Sequence, residues 1–395
     1  MNLLTEYKIS KEKHLERIEK VRDFAEKKHL SGIILFKPLS VYYLTGYRFI
    51  ATERPICFVL PVADEPWFYI PRLEVEHLIE KIPWVNRENY FEYPDLKHPA
   101  NIFKDLLNEK GLTKTGIGLE TANFSAYWGY EGPKLTELLD VKTPLFPDLI
   151  MKMRIIKDDE EIKLIKESAK WGDLAHRYLQ EYTAEGKNEV EVSLQASWDA
   201  TRKLLEALEG FVPSGLLAAH AGYRGQIGKW SAIPHSVIEK TVFQKGQTLV
   251  TGASANISGY ISELERTMFI GEPNEKQRRY FDVMKRAQDA ALEVFGPDVP
   301  CSEVDKASIK VIKDAGLYHL AQHHTGHAIG MEGHEPPFLD IGSDDILKPG
   351  MVMTCEPGIY EYKFGGFRHS DTVIITEDGS ELITPYPRDL EDLII

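Results

Sequence analysis

Cysteine is scarce in this sequence, and the few cysteines present do not form a disulfide framework. Only Cys57, Cys301 and Cys355 occur among the 395 residues. Their number is odd, and no two of them have the CxxC spacing of many structural zinc and redox sites. A fold stapled by disulfides is therefore excluded, and a reducing, cytoplasmic compartment is the expected location.

Long apolar runs and a surplus of basic residues are also missing. No apolar segment approaches the length of a transmembrane helix, and the N-terminal stretch MNLLTEYKISKEKHLER has no apolar signal core. The formal net charge is −14. Nucleic acids and anionic membranes attract basic surfaces, so neither is expected as a partner. A small-molecule substrate is compatible with this charge.

The length and the order of apolar patterns predict two domains of mixed α and β structure. Residues 11–29 have the spacing of an amphipathic helix. Short apolar runs that follow are predicted strands: Ile33–Phe36, Val41–Leu44, Ile56–Leu60 and Trp67–Ile70. The sequence changes character near residue 151, which predicts an α/β domain over 1–154 and a second domain over 155–395.

In the second domain, predicted helices and strands do not alternate strictly, which favours an antiparallel sheet and an α+β fold. One predicted strand, 259–270, carries two carboxylates two residues apart, Glu263 and Glu265. Alternate side chains of a strand point to the same face, so both carboxylates are expected on one side. The alternative is an exposed acidic strand face.

Histidines and a third carboxylate occur in other short segments. The run HHTGHAIGMEGHEPP contains His327 and His334, whose spacing requires glycine-permitted bends if the two are to meet. Glu356 ends a buried apolar run, where a carboxylate is costly unless it is paired, liganded or protonated. His235 follows a proline in a loop. This mixture suits either metal ligands or metal-free acid–base groups.

Four ordered motifs give the sequence a family resemblance. The segments IPH, TGHAIGMEGHEPP, CEPGIY and GGFRHSDTV resemble the pita-bread superfamily, which includes prolidases, aminopeptidases P, methionine aminopeptidases and creatinase. The segments YYLTGYRFIATERP and MRIIKDDEEI are similar to the N-terminal domain and linker of its prolidase and creatinase branch. The resemblance implies an N-terminal creatinase-type domain, a C-terminal pita-bread domain and a homodimer.

The metallopeptidases of that superfamily hold two metal ions with five ligands, and the resemblance carries these over residue by residue. The first Asp falls on Gly252, which cannot ligate, and the second falls on Glu263. The histidine and the first Glu fall on His327 and Glu356, which are intact. The final Glu falls on Ser370. A two-metal site is therefore not expected, whereas one ion on Glu263, His327 and Glu356 is chemically possible.

Creatinase, the metal-free relative, supplies the competing template through the segment LERT at 264–267. That resemblance implies that Glu265 and Glu356 hold a cationic group of the substrate and that His235 transfers a proton. It also implies that Arg54 reaches across the dimer to the substrate carboxylate.

The main prediction is a cytoplasmic, homodimeric hydrolase that cleaves a non-peptide C–N bond of a small zwitterion without a metal cofactor. His235, Glu265 and Glu356 are its predicted catalytic residues, and Arg54, His327 and His334 its predicted substrate-binding residues. One alternative is a metal-dependent Xaa-Pro dipeptidase or aminopeptidase P with a reduced, mononuclear site. A second is a non-catalytic binding module.

Overall fold

The computed structural model of the chain describes residues 7–95, 99–124 and 130–395. They divide into two units, Ile9–Met153 and Arg154–Ile395, and Tyr7 and Lys8 belong with the larger one. Among the described residues, no helix combines the length and the apolar character needed to cross a membrane.

The smaller unit is built on a mixed five-stranded sheet in the order β4-β3-β2-β1-β5. Strand β1 pairs antiparallel with β2 and parallel with β5, while β3 pairs antiparallel with β2 and parallel with β4. The strands are β1 Leu30–Leu35, β2 Cys57–Pro61, β3 Trp67–Pro71, β4 Tyr90–Tyr93 and β5 Gly116–Leu119. The helices are α1 Lys11–Lys27, α2 Pro38–Thr45, α3 Val75–Lys81, α4 Pro99–Glu109, α5 Leu135–Leu138 and α6 Leu149–Arg154, whose last residue begins the larger unit.

One predicted strand of this unit was wrong. Residues 41–44 belong to helix α2, which begins with Pro38 in its first turn and ends at Gly46 in the left-handed conformation, with φ 75°. Proline suits the first turn of a helix, because the missing N–H has no intrahelical partner there, and glycine suits its end. A four-residue apolar run has no period of its own, so only these flanking residues distinguish the two structures.

The larger unit opens with two long helices. Asp158 caps the first of them by accepting hydrogen bonds from the backbone N–H groups of Glu160 and Glu161, each at 3.0 Å. Such a cap satisfies amide groups that have no partner within the helix. The helices of this unit are α7 Asp159–Tyr182, α8 Glu189–Ala207, α9 Glu275–Leu292 and α10 Cys301–Asp314.

The strands of the larger unit pair antiparallel throughout the described ranges. The main sheet has the order β11-β10-β12-β15-β16, and the pairs β13-β14, β6-β8 and β7-β9 are separate. The predicted α+β class, with an antiparallel sheet in the second domain, is confirmed. The strands are β6 Ala219–Gly222, β7 Thr248–Val250, β8 Gly252–Ala255, β9 Thr267–Phe269, β10 Gly326–Ala328, β11 Glu335–Leu339, β12 Val352–Cys355, β13 Gly358–Glu361, β14 Gly365–Arg368, β15 Asp371–Ile375 and β16 Ser380–Leu382.

The predicted strand over 259–270 is regular only at its end, in β9. Ser258 and Gly259 form a turn with φ 49° and 90°. The residues after it make isolated bridges, Leu264 with Ala253 and Glu265 with Ser370. The segment thus changes pairing partner between neighbouring residues, and the carboxylates of this segment lie where the pairing changes.

Candidate metal centre

Three side chains from separate elements converge in the larger unit. Glu263 precedes β9, His327 lies in β10 and Glu356 follows β12, and one ligand atom from each lies within 4.8 Å of the others. Strands β10 and β12 are direct neighbours. A Cβ added to Gly326 would lie only 2.2 Å from the carbonyl oxygen of Thr354, so glycine permits the close approach of these two strands.

The imidazole of His327 is oriented by a hydrogen bond on one side and faces a carboxylate on the other. Its Nδ1 lies 3.0 Å from the carbonyl oxygen of Ala328, to which an Nδ1–H can donate. Its buried Nε2 lies 3.1 Å from Glu356 Oε1, with which it forms an ion pair when the imidazole is protonated. This is the orientation of a metal-ligating histidine, in which a second group fixes the ring and the free nitrogen faces the ion.

The two carboxylates differ in their surroundings. Glu263 Oε1 accepts a hydrogen bond from the Ser370 hydroxyl at 2.6 Å. Burial and the charges of Glu356 and Glu265 raise the pKa of Glu263 to about 8. Burial also acts to raise the pKa of Glu356, but the bond to His327 and the Arg368 charge outweigh it and lower that pKa to about 2.

His327 holds a proton in the absence of an ion. Burial acts to lower its pKa, but its bond to Glu356 and the charges of Glu263 and Glu356 outweigh burial and raise it to about 9. At neutral pH, therefore, Glu263 and His327 both carry a proton that a bound cation would displace.

The donor set fits one divalent ion and not two. A histidine nitrogen and two carboxylates, with further positions open, form a typical open catalytic site. Gly252 has no side chain at the first missing ligand position, and the hydroxyl of Ser370 is already bonded to Glu263 at the second. The convergence of the three ligand atoms, two of them from carboxylates, is the observation that favours an ion here.

Glu265 has a different environment, although it lies two residues from Glu263. Both of its oxygens pair with the guanidinium of Arg368, with Nη2 2.8 Å from Oε1 and Nε on Oε2. Arg224 Nη2 donates to Oε1 from the other side, at 2.9 Å. Glu265 is thus occupied by two arginines of this chain, rather than open to a cationic group of a substrate as the sequence had suggested.

A cavity of about 370 Å³ adjoins the ligand cluster. Glu263 and Glu265 both line it, and so do Ile261 and Ser262 from the same irregular segment. Helix α8 and the strands β6 and β8 supply much of the remaining wall, including Leu194 and His220, and Arg224 lines it just after β6. The cavity is large enough for a small ligand.

The other predicted site residues lie in three different settings. His334 stacks on His327 with ring centroids 3.8 Å apart, and partial burial together with the His327 charge lowers the pKa of His334. His235 is exposed in a turn, and its charge also contributes to lowering the pKa of His334. Arg54 belongs to the smaller unit, where it pairs with Asp95 through Nε at 2.6 Å and Nη2 at 2.9 Å.

The sequence reasoning missed the arginines. Arg368 is buried and pairs with Glu265. Its Nε also lies 3.9 Å from Glu356 Oε2. Tyr360 joins the same group through a 3.0 Å hydrogen bond from Arg368 Nη1. A buried carboxylate requires a cation or a proton, so the presence of Glu265 in a buried segment was the available signal for such a partner.

Comparison with known proteins identifies the family. Residues 163–377 match the model of metallopeptidase family M24, and residues 17–156 match that of the creatinase/prolidase N-terminal domain. The chain belongs to metallopeptidase family M24. It is 31% identical over 378 residues to the Xaa-Pro dipeptidase of Pyrococcus furiosus, which covers 95% of this chain and 99% of that protein.

Solved structures agree with this membership. The Xaa-Pro dipeptidase from Bacillus anthracis superposes with a TM-score of 0.80 at 27% identity, covering 97% of this chain and all of that one. The prolidase from Pyrococcus horikoshii gives 0.78 at 28% identity, over 95% and 99%. The predicted pita-bread superfamily and the predicted class, a hydrolase of the creatinase/prolidase superfamily, are confirmed. The expected small substrate is consistent with relatives named dipeptidases.

Two predictions about this M24 protein were wrong. The metal-independent, creatinase-like cleavage of a non-peptide C–N bond is contradicted by relatives named Xaa-Pro dipeptidase and prolidase. The absence of a metal cofactor is contradicted by the match to a metallopeptidase family, which indicates a divalent metal. The error came from weighing the missing ligands at Gly252 and Ser370 above the three that remain together.

Proposed function

We propose that this protein is a divalent-metal-dependent dipeptidase that cleaves Xaa-Pro dipeptides with a single ion held by Glu263, His327 and Glu356. The convergence of one ligand atom from each residue within 4.8 Å of the others carries the proposal. The names of the M24 relatives support the substrate class.

A divalent ion in this position supplies Lewis-acid polarisation of a peptide carbonyl and eases the deprotonation of water near neutral pH. The residues of the chain do the rest. Ala328 and Ser370 fix the orientation of His327 and Glu263 through the hydrogen bonds described above. His334 has a lowered pKa and is neutral at pH 7, so it can accept a proton and pass it to the departing amine.

The remaining site residues have supporting roles in this proposal. His235, in its exposed turn, exchanges protons between His334 and solvent. Glu265 holds the buried Arg368 in place beside Glu356. We also retain as proposals the domain division at 154/155, the cytoplasmic location and the homodimer with Arg54 contributed by a second copy.

The metal content of the protein tests this function. We expect about one Mn²⁺, Co²⁺ or Zn²⁺ per chain by mass spectrometry, and turnover of an Xaa-Pro dipeptide that a chelator abolishes. Glu263→Gln should weaken metal binding by at least about 100-fold, because losing a direct ligand exceeds the 10- to 100-fold typical of an outer partner.

Glu206→Gln is the matched control, since Glu206 is an exposed carboxylate of α8 paired with Arg202. It should bind metal and turn over dipeptides as the unaltered protein does. Two ions per chain would contradict the single-ion site, and chelator-resistant cleavage would contradict the metal dependence.

A further inference from the structure

Arg224 lies on the wall of the cavity beside the ligand cluster. Its side chain is 51% exposed, and the residue adopts φ 50°, in the left-handed region that side chains other than glycine seldom occupy. Backbone conformations of this kind collect at sites that bind or react, where the surrounding structure enforces them. No role is assigned to this arginine by the M24 motifs of the sequence.

One nitrogen of the Arg224 guanidinium is engaged, and the other two are available. Nη2 donates to Glu265 Oε1 at 2.9 Å and to Gln226 Oε1 at 3.2 Å. Within the described part of the chain, Nε and Nη1 make no hydrogen bond. The engaged edge fixes the plane of the guanidinium, and the remaining N–H groups are of the kind that bind a carboxylate.

The backbone under Arg224 is also fixed. A Cβ on the next residue, Gly225, would lie 1.9 Å from the carbonyl oxygen of Val237, so the turn packs directly on the segment that follows His235. The Gly225 N–H donates to Glu189 Oε2 at 3.0 Å. A group held in this way loses little conformational freedom when a ligand binds.

The charges around the cavity do not repel an incoming anion from Arg224. Glu265 also pairs with the buried Arg368, so Arg224 is not its only cation. Glu189, the other carboxylate of the wall outside the ligand cluster, accepts from backbone N–H groups rather than from Arg224.

The rest of the cavity wall is largely apolar. Leu194 and Ile238 are 57% and 64% exposed, and Ile261 and Ile329 also line the space. A volume of about 370 Å³ is near the lower end for ligand sites and suits a small apolar ring with one anionic end.

We propose that Arg224 binds the free C-terminal carboxylate of the dipeptide and so restricts the enzyme to dipeptides. This inference rests on the proposed function, since it assigns a specificity-determining residue to that reaction. The carboxylate binds the two available nitrogens of the guanidinium, and the apolar wall receives the proline ring.

The test compares Ala-Pro with its C-terminal amide, in which the anion is removed and the scissile bond is retained. The unaltered protein should prefer the acid. Arg224→Met should lower kcat/KM for Ala-Pro by about 10- to 100-fold, mainly through KM, because a charged hydrogen-bonded contact is lost. Cleavage of the amide should not change. Arg224→Lys should fall between, since an ammonium cannot replace the planar fork.

Arg202→Met, an exposed arginine of α8 outside the cavity lining, is the matched control and should leave both rates unchanged. Equal losses for the acid and the amide in Arg224→Met, or no preference in the unaltered protein, would overturn the inference while leaving the proposed function intact.

If no metal supports turnover, the proposed reaction and the Arg224–carboxylate contact can still be tested separately. Calorimetry then measures the binding of Ala-Pro to the metal-free protein. Binding that Arg224→Met abolishes would uphold the carboxylate contact although the proposed reaction had failed. Equal binding by both proteins, or binding by neither, would overturn the contact itself.

Discussion

Two polar clusters of the larger unit differ in how completely their atoms are paired. The closed cluster is formed by Arg266, Asp371, Gln288 and Thr384, and the ligand cluster by Glu263, His327 and Glu356. In the closed cluster, Asp371 accepts from Arg266, Gln288 and Thr384, each at 2.8 Å. In the ligand cluster, the contacts are fewer: His327 Nε2 lies 3.1 Å from Glu356 Oε1, and Glu263 accepts from Ser370 at 2.6 Å.

The arginine of the closed cluster is equally well satisfied. Besides the bond to Asp371, its guanidinium donates to the backbone carbonyl oxygens of Glu265, Ser370, Tyr386 and Pro387. Both ends of the Arg266–Asp371 pair are fully buried. The comparison teaches that buried charge alone does not mark a functional site. A cluster that is complete within the chain supports the fold, whereas ligand atoms that converge from separate elements and are only partly paired can hold an ion.

The largest effect is expected from breaking the closed cluster. Arg266→Met removes the cation beside the fully buried Asp371, and we expect the free energy of unfolding to fall by about 3–5 kcal/mol. Urea denaturation followed by circular dichroism measures this. A loss below about 1 kcal/mol would mean that the closed cluster does not support the fold.

An intermediate effect is expected when the ligand cluster is titrated. Because the pKa values of Glu263 and His327 are raised to about 8 and 9, an ion must displace two protons below pH 8. Raising the pH from 6 to 7 should therefore tighten metal binding by about 100-fold, and the dependence should disappear above pH 9.

Calorimetry in two buffers of different ionisation enthalpy measures both the affinity and the number of protons released. A pH-independent affinity would show that the ligand cluster is not where the ion binds.

The smallest effect on stability is expected when the arginine of the cavity wall, Arg224, is replaced by methionine. Arg224→Met removes a half-exposed arginine whose carboxylate partner keeps Arg368, so the free energy of unfolding should change by less than about 1 kcal/mol. Urea denaturation beside Arg266→Met gives the direct contrast. A loss of stability as large as that of Arg266→Met would show that Arg224 supports the fold and is not held free for a ligand.

The sequence was sufficient for the fold class, and the family resemblance named Glu263, His327 and Glu356 as residual candidates for one ion. The main prediction was nevertheless a site without a metal, because two of the five ligand positions hold Gly252 and Ser370. The motifs could not provide the distances between the three candidate side chains, because those distances depend on β10 and β12 being neighbours.

Other features depend on contacts that are distant in sequence. Arg224 and Arg368 meet at Glu265 although they lie 41 and 103 residues from it. The pairing change within 259–270 depends on Ala253 and Ser370, which no local pattern of that segment contains. The helix over Pro38–Thr45 was missed for the opposite reason, since its capping residues are local and were outweighed by the apolar run.

Glu189 has a consequence for engineering this enzyme. Its buried carboxylate accepts backbone hydrogen bonds from Gly225, Glu239 and Thr241 at 3.0–3.1 Å, which ties the turn after Arg224 to the segment after His235. A loop graft intended to change selectivity would therefore need to carry residues 222–241 as one block, together with the acid that holds them.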